Sequence, residues 1–183
     1  MQKTDLAIYN NHPYNPGGNV LKRLLWYYVN AIVFNTHLFP VSGLKIFLLK
    51  LFGAKIGVGV VIKPAVNIKY PWLLSVANHT WIGEGVWIDN LVMVTIGSNV
   101  CISQGAILQT GSHNYKKHAF DLITGGIVLE DGAWIGCSAI INQGIRVGTH
   151  AVLTTGSIAT KNLAPYFIYQ GNPAVKIRPR AIE

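Results

Sequence analysis

Residues 129–147, LEDGAWIGCSAIINQGIRV, carry an aliphatic side chain at every sixth position. The same spacing continues in both directions along the chain. The full set is Ile56, Ile62, Ile68, Val76, Ile82, Ile88, Ile96, Ile102, Leu108, Leu129, Ile135, Ile141, Val147, Leu153 and Ala159. Only the last of these is not Ile, Leu or Val, so a repeat of six residues organises the middle of the chain.

A second set of small or β-branched residues lies four positions after most of the aliphatic ones. Its members are Val60, Val66, Thr80, Val86, Val92, Val100, Ala106, Ser112, Ala133, Ala139, Ala151 and Ser157. Both sets must face inward, because a spacing of two is the alternation of a short strand. Two-residue insertions occur from Ile68 to Val76 and from Ile88 to Ile96, each after a third hexapeptide. The pattern predicts an all-β fold, a parallel β-helix with three short strands per coil.

Large apolar residues also recur at positions that should face outward. Trp81, Trp87 and Trp134 each precede an inward aliphatic residue. A contiguous apolar outer face is typical of a protein interface. We therefore expect a homo-oligomer in which the β-helices, each a prism with three faces, pack side by side.

The composition favours one basic domain. The 183 residues carry a formal net charge of +8, and only 12% of them are charged. The basic residues are spread along the chain and the aromatic residues follow the coil period, which argues against a nucleic-acid-binding surface. Two cysteines, Cys101 and Cys137, are too few for a disulfide framework. Two buried thiols in the reducing cytoplasm are therefore the expectation.

The first 53 residues precede the repeat. They lack the basic region followed by an apolar stretch that marks a secretory signal. The most apolar window, Leu24–Phe39, is too short and too polar to span a bilayer. Two interpretations stay open. Lys22 and Arg23 before 24–28, together with Lys45 and Lys50 in 44–52, suit an interfacial segment in peripheral contact with the inner membrane face. The same residues also suit a packed helical cap on the prism.

The repeat is interrupted between Leu108 and Leu129, where the sequence reads QTGSHNYKKHAFDLITGGIV. We expect a loop over 113–126 to leave the prism at this point. His113 and His118 are its titratable candidates, since a histidine can accept a proton from a hydroxyl at neutral pH. The expected division is a cap over 1–53, a β-helix over 54–164 and a C-terminal tail over 165–183.

Three stretches carry a resemblance to known proteins: TGSHNY at 110–115, GAWIGCSAIINQGIRVG at 132–148 and GSIATKNLAPYFIYQGNPAVKIR at 156–178. With them, residues 44–180 resemble the hexapeptide-repeat acyltransferases, specifically the galactoside, maltose and serine O-acetyltransferases and the colanic-acid-type polysaccharide acetyltransferases. The resemblance implies a left-handed β-helix, a homotrimer and acetyl-CoA as co-substrate, without a metal.

The resemblance also implies roles for single residues. His113 corresponds to the family's catalytic histidine, a general base that takes the proton of a sugar hydroxyl as its oxygen attacks the acetyl thioester directly. Asp89 corresponds to a residue that contacts the acceptor hydroxyl in the serine acetyltransferases. Asn90, next to it in the sequence, is a weaker candidate for the same role. No histidine lies beside Cys137 in the sequence, so a thiol nucleophile is not expected.

The donor contacts implied by the resemblance lie in the last coils and the tail. They are Cys137, Thr155, Thr160, Lys161 and Arg178. Val175 stands where the galactoside enzymes carry a basic residue. This difference removes one contact to the coenzyme phosphates or moves it to Lys176. The expected reaction is transfer of acetyl to a sugar hydroxyl, in exopolysaccharide or cell-surface polysaccharide biosynthesis.

Two other classes of function are alternatives to acetyl transfer. His79, His113 and His118 resemble, at loosely similar spacing, the zinc ligands of the γ-class carbonic anhydrases, a lyase family with the same fold. The apolar outer face would also suit a scaffold without catalytic activity. Neither the sugar, nor its hydroxyl, nor the length of the acyl chain can be read from the sequence.

Overall fold

The computed structural model describes residues 3–183, so the first two residues of the expected cap lie outside it. From residue 54 the chain winds into a prism with three faces, each a parallel sheet built from one short strand per coil. The expected fold class, a parallel β-helix with an N-terminal helical segment and one protruding loop, is confirmed.

The strands are assigned to the faces in the order in which the chain visits them. The first face holds β1 (Lys55–Ile56), β4 (Leu74–Val76), β7 (Val94–Ile96), β12 (Ile127–Leu129) and β15 (Arg146–Val147). The second holds β2 (Val61–Ile62), β5 (Trp81–Ile82), β8 (Cys101–Ile102), β13 (Trp134–Ile135), β16 (Val152–Leu153), β18 (Phe167–Gly171) and β19 (Ala174–Pro179). The third holds β3 (Asn67–Ile68), β6 (Trp87–Asp89), β9 (Ile107–Gln109), β14 (Ile140–Ile141) and β17 (Ile158–Ala159).

The core is the stack of inward side chains that the six-residue spacing predicts. All fifteen aliphatic positions are buried, the most exposed being Ile56 at 8%. Neighbouring coils pair in exact register, for example Ile135 with Ile102 on one side and with Leu153 on the other. Each aliphatic residue therefore packs on its equivalents above and below, which is the stabilisation expected of a solenoid.

Two residues of the second inward set depart from the prediction. Ser112 was expected to face inward, but it is only partly buried because the chain has already left the coil at this point. Val92 is also only partly buried, at the corner that holds the inserted residues. The remaining ten positions of that set are buried.

Two short helices cover the end of the prism at which the coils begin. Helix α1 (Val20–Val29) starts at an Asn19 cap and runs into a π-helical turn at Asn30–Phe34, and α2 (Ser42–Leu51) packs on β1 and β2. Trp26 of α1 is buried, and its indole N–H donates to the Ile68 carbonyl at 2.8 Å.

The helices correct one expectation about the basic residues. The interfacial interpretation would leave Lys45 exposed, but its side chain is fully buried and its Nζ donates to the Lys63 carbonyl at 2.7 Å, as the packed-cap interpretation requires. Burial lowers the pKa of Lys45. Its charge therefore does not contribute to any interfacial face of α2. No helix within residues 3–183 has the length and apolar character needed to cross a bilayer.

The C-terminal residues extend the second face. Strand β18 pairs in parallel with β16, and β19 folds back on β18 as an antiparallel partner. The expected tail over 165–183 thus contains a hairpin that covers part of the last coils.

Candidate active site

The protruding loop is an arm of two strands, β10 (Gly111–His113) and β11 (Leu122–Thr124), at the corner between the third and first faces. His113 ends β10 and pairs with Leu122. Its ring stacks on Phe120 with 4.6 Å between centroids and an angle of 9° between planes. The sequence predicted an excursion over 113–126 that carries His113, but the first strand of the arm begins two residues earlier, at Gly111, and the strand pairing was not predicted.

The hydrogen bond of His113 fixes which ring nitrogen carries the proton. Nδ1 lies 3.0 Å from the Phe120 carbonyl oxygen. A carbonyl can only accept, so Nδ1–H is the donor. In the neutral imidazole, Nε2 then keeps its lone pair, which is the state a general base requires.

His113 lines a cleft with three polar residues of the third face. We call this the acceptor cleft: it has a volume of about 460 Å³ and is lined by Lys69, Asp89, Leu91, Gln109, Gly111, Ser112, His113, Tyr115, Phe120 and Leu122. The structure therefore brings together two sequence-predicted residues, Asp89 and His113. A carboxylate, an amide and an imidazole around one cleft can accept from and donate to the hydroxyls of a polar ligand.

Lys69 and Gln109, which sequence analysis missed, form a column with the predicted Asp89. They occupy equivalent places in three successive coils. Lys69 precedes Asp89 by twenty residues, and Asp89 pairs in register with Gln109 on the neighbouring strand. Lys69 Nζ donates to Asp89 Oδ1 at 2.9 Å, and the Asp89 side chain is only 16% exposed. The twenty-residue coil length, applied to Asp89 in both directions, is the signal that would have found the other two.

Asn90 lies outside this cleft. Its side chain is fully buried at the corner after β6, where its amide bonds the backbone N–H and carbonyl of Tyr70 and the carbonyl of Leu73. Its hydrogen-bonding groups hold the preceding corner in place, so they do not face an acceptor.

Three of the five residues expected to bind the donor line two smaller cavities. The donor pocket, of about 310 Å³, is lined by Trp134, Gly136, Val152, Leu153, Thr154, Thr155 and Gln170. The tail pocket, of about 290 Å³, is lined by Thr160, Lys161, Asn162, Leu163, Tyr169, Pro173, Ala174, Val175 and Lys176. Cys137 follows the donor pocket's Gly136 in the chain, partly exposed, whereas Arg178 is exposed on β19 and lines neither cavity.

Lys176 supplies the cation that the galactoside enzymes carry at the position of Val175. Its Nζ lies 3.3 Å from the centroid of the Phe167 ring, and it faces the tail pocket together with Lys161. Two lysine side chains that line one cavity suit an anionic group such as a phosphate.

Residues near the N-terminus pack against the arm. The Asp5 N–H donates to the His118 carbonyl at 3.0 Å, and the Tyr9 ring meets the His113 ring at 5.5 Å between centroids. The Tyr14 hydroxyl donates to the Leu91 carbonyl at 2.9 Å. Burial, with Tyr70 and Asp89 nearby, raises the pKa of Tyr14, so this phenol stays neutral. His113 is thus supported by Phe120 on one side and Tyr9 on another.

Comparison with known proteins decides the family. No protein-family model matches the chain. It is 38% identical over 164 residues to the colanic acid biosynthesis acetyltransferase WcaF of Escherichia coli (strain K12), covering 90% of both chains. It is also 29% identical over 135 residues to the galactoside O-acetyltransferase of the same organism, covering 72% of this chain and 66% of the relative.

The chain belongs to the hexapeptide-repeat acetyltransferase family. It is therefore an acyltransferase. Among solved structures it resembles the acetyltransferase VCA0836 of Vibrio cholerae in complex with acetyl coenzyme A, with a TM-score of 0.82 and 21% identity over 96% of this chain and 97% of that one. It also resembles a galactoside acetyltransferase in complex with coenzyme A, with a TM-score of 0.77 and 24% identity over 88% and 82%. These two likenesses show the fold.

The three histidines of the competing zinc hypothesis lie apart in this acetyltransferase. His79 is exposed at the corner between the first and second faces, while His113 is at the corner between the third and first. His118, farther along the arm, has its Nδ1 beside the Lys3 carbonyl. No three His, Cys, Asp or Glu side chains within residues 3–183 lie close enough to hold a metal ion.

Proposed function

We propose that the chain transfers the acetyl group of acetyl-CoA to a hydroxyl of a sugar, in the biosynthesis of an exopolysaccharide or another cell-surface polysaccharide. The observation that carries the proposal is the state of His113: its Nδ1–H bonds the Phe120 carbonyl, and its ring lines a cleft that also contains Asp89. The names of the relatives agree, since they are acetyltransferases of colanic acid biosynthesis and of galactosides.

The proposed step is a direct transfer. Nε2 of His113 takes the proton of the acceptor hydroxyl while its oxygen forms a bond to the thioester carbon. The tetrahedral intermediate then breaks its C–S bond, and the imidazolium returns the proton to the departing sulfur. A positioned general base of this kind contributes about 10²- to 10⁴-fold in rate. No covalent acyl-enzyme forms, and Cys137 is not a nucleophile.

Asp89 orients the acceptor in this scheme. Lys69 holds Oδ1 of the carboxylate at 2.9 Å, and the remaining lone pairs can accept from a second hydroxyl of the sugar. A sugar held at this second hydroxyl presents its reacting hydroxyl to His113 in a fixed direction.

The donor is proposed to lie along the last coils. Thr155 and the backbone at Gly136 contact the pantetheine arm next to Cys137, and Thr160 and Lys161 contact the part nearer the phosphates. Lys176 joins Lys161 there, and the exposed Arg178 adds a further cation outside the cavity.

We propose a homotrimer as the working assembly. The donor pocket lies at the corner between the second and third faces, and His113 lies at the next corner, so one prism does not bring the two together. A neighbouring copy could supply its donor corner to His113. Trp81 and Trp134, both on the second face, are 60% and 45% exposed and supply an apolar surface for such contacts. Light scattering on purified protein measures the assembly mass.

The proposed location is the cytoplasm, at the inner face of the membrane. Acetyl-CoA chemistry and two free cysteines suit a reducing compartment. Leu21, Leu24 and Leu25 of α1 are exposed, and they offer an apolar surface to a bilayer. Flotation of the full chain with vesicles of anionic phospholipid tests the membrane contact.

The reaction is tested by incubating the protein with acetyl-CoA and a panel of mono- and oligosaccharides. We expect coenzyme release that depends on the sugar, together with a sugar that has gained one acetyl ester by mass spectrometry. Transfer to amines only, or coenzyme release with no acetylated sugar in any mixture, would contradict the proposal.

A further inference from the structure

A second cavity adjoins the acceptor cleft. It lies between α1 and the third face, has a volume of about 430 Å³, and is lined by Arg23, Trp26, Tyr27, Asn30, Ala31, Asn35, Asn67, Lys69, Tyr70, Trp87 and Asp89. We call it the α1 subsite. Lys69 and Asp89 line both cavities, so the paired side chains form their common wall. A ligand longer than one sugar can therefore occupy both.

The α1 subsite is held open by side-chain hydrogen bonds between the helical segment and β3. The Asn30 amide donates to Asn67 Oδ1 at 2.7 Å and accepts from the Ile68 N–H at 3.2 Å. One turn earlier, the Trp26 indole donates to the Ile68 carbonyl. These bonds fix α1 against the third face, and a preformed cavity saves the ordering cost of binding.

The spacing of two outward residues on β6 matches a chain of sugars. Trp87 and Asp89 both point outward from β6, because they are two residues apart on one strand. At about 3.3 Å per residue they are about 6.6 Å apart along the strand, a length comparable with one pyranose unit. A sugar bound at Asp89 would place its neighbour at Trp87.

The lining suits a sugar that carries an anionic group. Tyr27, Tyr70 and Trp87 offer aromatic surface to the apolar face of a pyranose, and Asn35 and Asn67 offer amides to its hydroxyls. Arg23 adds a guanidinium. No carboxylate within residues 3–183 lies within 4.0 Å of it, whereas the other cation of the cavity, Lys69, is paired with Asp89.

We infer that the α1 subsite binds the unit next to the acetylated sugar, and that Arg23 binds an anionic group on that unit, either a sugar carboxylate or a phosphate. The inference rests on the proposed function and narrows its acceptor to an acidic glycan or a glycosyl phosphate. Arg23 presents a planar fork of donors that fits the paired oxygens of both groups.

The test measures binding in the absence of acetyl-CoA, so that it does not depend on turnover. The probes are a set of neutral disaccharides, the matched disaccharides in which one unit is a hexuronic acid, and the matched glycosyl phosphates, each titrated by NMR into the full-length protein. We expect an acidic probe to bind about tenfold more tightly than its neutral partner, the effect of one charge-assisted contact. The uronic acid and phosphate arms distinguish the two sources of the anion.

Adjacent residues on α1 supply matched controls. Arg23→Gln should abolish the preference for the acidic probe. Lys22→Gln removes the same charge one residue away, where Nζ lies over the Trp72 ring instead of in the cavity, and should keep the preference. Tyr27→Ala should weaken the binding of disaccharides without affecting that of monosaccharides. The Tyr28 side chain is exposed but does not line the cavity, so Tyr28→Ala should affect neither affinity.

Equal affinity for neutral and acidic probes, a preference that survives Arg23→Gln, or no binding of any probe would overturn the inference. If Arg23→Gln changes the assembly mass instead of sugar affinity, the cavity is a contact between copies of the chain, which also overturns it. The proposed function fails separately, when a probe that binds through Arg23 is not acetylated.

Discussion

One methyl group added at Gly136 tests whether the packing of the last coils shapes the donor pocket. A Cβ at this position would lie 2.5 Å from the Thr155 nitrogen and 2.7 Å from the Thr154 carbonyl carbon, whereas ordinary contacts begin near 3.4 Å. Both obstacles are backbone atoms, so no side chain can rotate away. In Gly136→Ala the coil that holds Thr154 and Thr155 must move outward by roughly 1 Å.

Two measurable losses follow from this displacement. Overpacking of a tight core costs about 1–3 kcal/mol, which for a chain of this size lowers Tm by about 2–12 °C. The displaced residues line the donor pocket, and a misplacement of about 1 Å can cost up to about 10²-fold in rate. We therefore expect kcat/KM for acetyl-CoA to fall by about tenfold or more.

The assay combines thermal unfolding with coenzyme release at varied acetyl-CoA. Gly43→Ala is the control, because nothing lies within 4 Å of the Cβ it adds and the residue is in α2, where alanine is the better helix former. Its Tm should be unchanged or higher, with wild-type kinetics. If Gly136→Ala also kept the wild-type Tm and kcat/KM, the argument from close packing would be refuted.

Three further changes probe the arm, the core and a surface ion pair. Phe120→Ala removes the ring stacked on His113, so kcat should fall about tenfold with an unchanged KM for acetyl-CoA; an unchanged kcat would contradict this support. Ile135→Ala, at a fully buried position, should lower the unfolding free energy by about 2–5 kcal/mol in urea titration, and a loss below about 1 kcal/mol would contradict the stacked core. Hydrogen bonds from Arg146, and then from Thr149, hold the pKa of Glu130 below its ordinary value. The carboxylate therefore stabilises the fold above the ordinary glutamate pKa, and this stabilisation is lost as the pH falls through the lower folded-state pKa. Glu130→Gln should therefore reduce Tm at pH 7 and match wild type in acid; a difference that persists in acid would contradict the assignment.

The fold could be predicted from the sequence because its period is a direct physical consequence of the coil. An inward position repeats every six residues, and a polar residue there would be buried without a partner, so the pattern is strongly constrained. The arm could be located for the same reason, as the place where the period stops. His113 followed from its motif at the start of that arm.

The rest of the site depends on contacts between coils, which a single period does not reveal. Lys69 and Gln109 join Asp89 only when the inserted corner residues are counted into a twenty-residue coil. Asn90 is adjacent to Asp89 in sequence, but the chain turns the corner between them, and its amide faces the backbone of 70–73. Lys45 looked like a surface cation, and the pattern of α2 alone does not show that it caps the Lys63 carbonyl.

The most direct test of the account compares His113→Ala with His118→Ala in the acetyl-CoA and sugar assay. Both histidines lie on the same arm, but His118 is exposed and beside the Lys3 carbonyl, outside the acceptor cleft. The account predicts that His113→Ala lowers kcat by about 10²- to 10⁴-fold while acetyl-CoA still binds, and that His118→Ala keeps kcat within about twofold of wild type. Equal activity of His113→Ala and wild type, or equal losses in both variants, would contradict the assignment of His113 as the base.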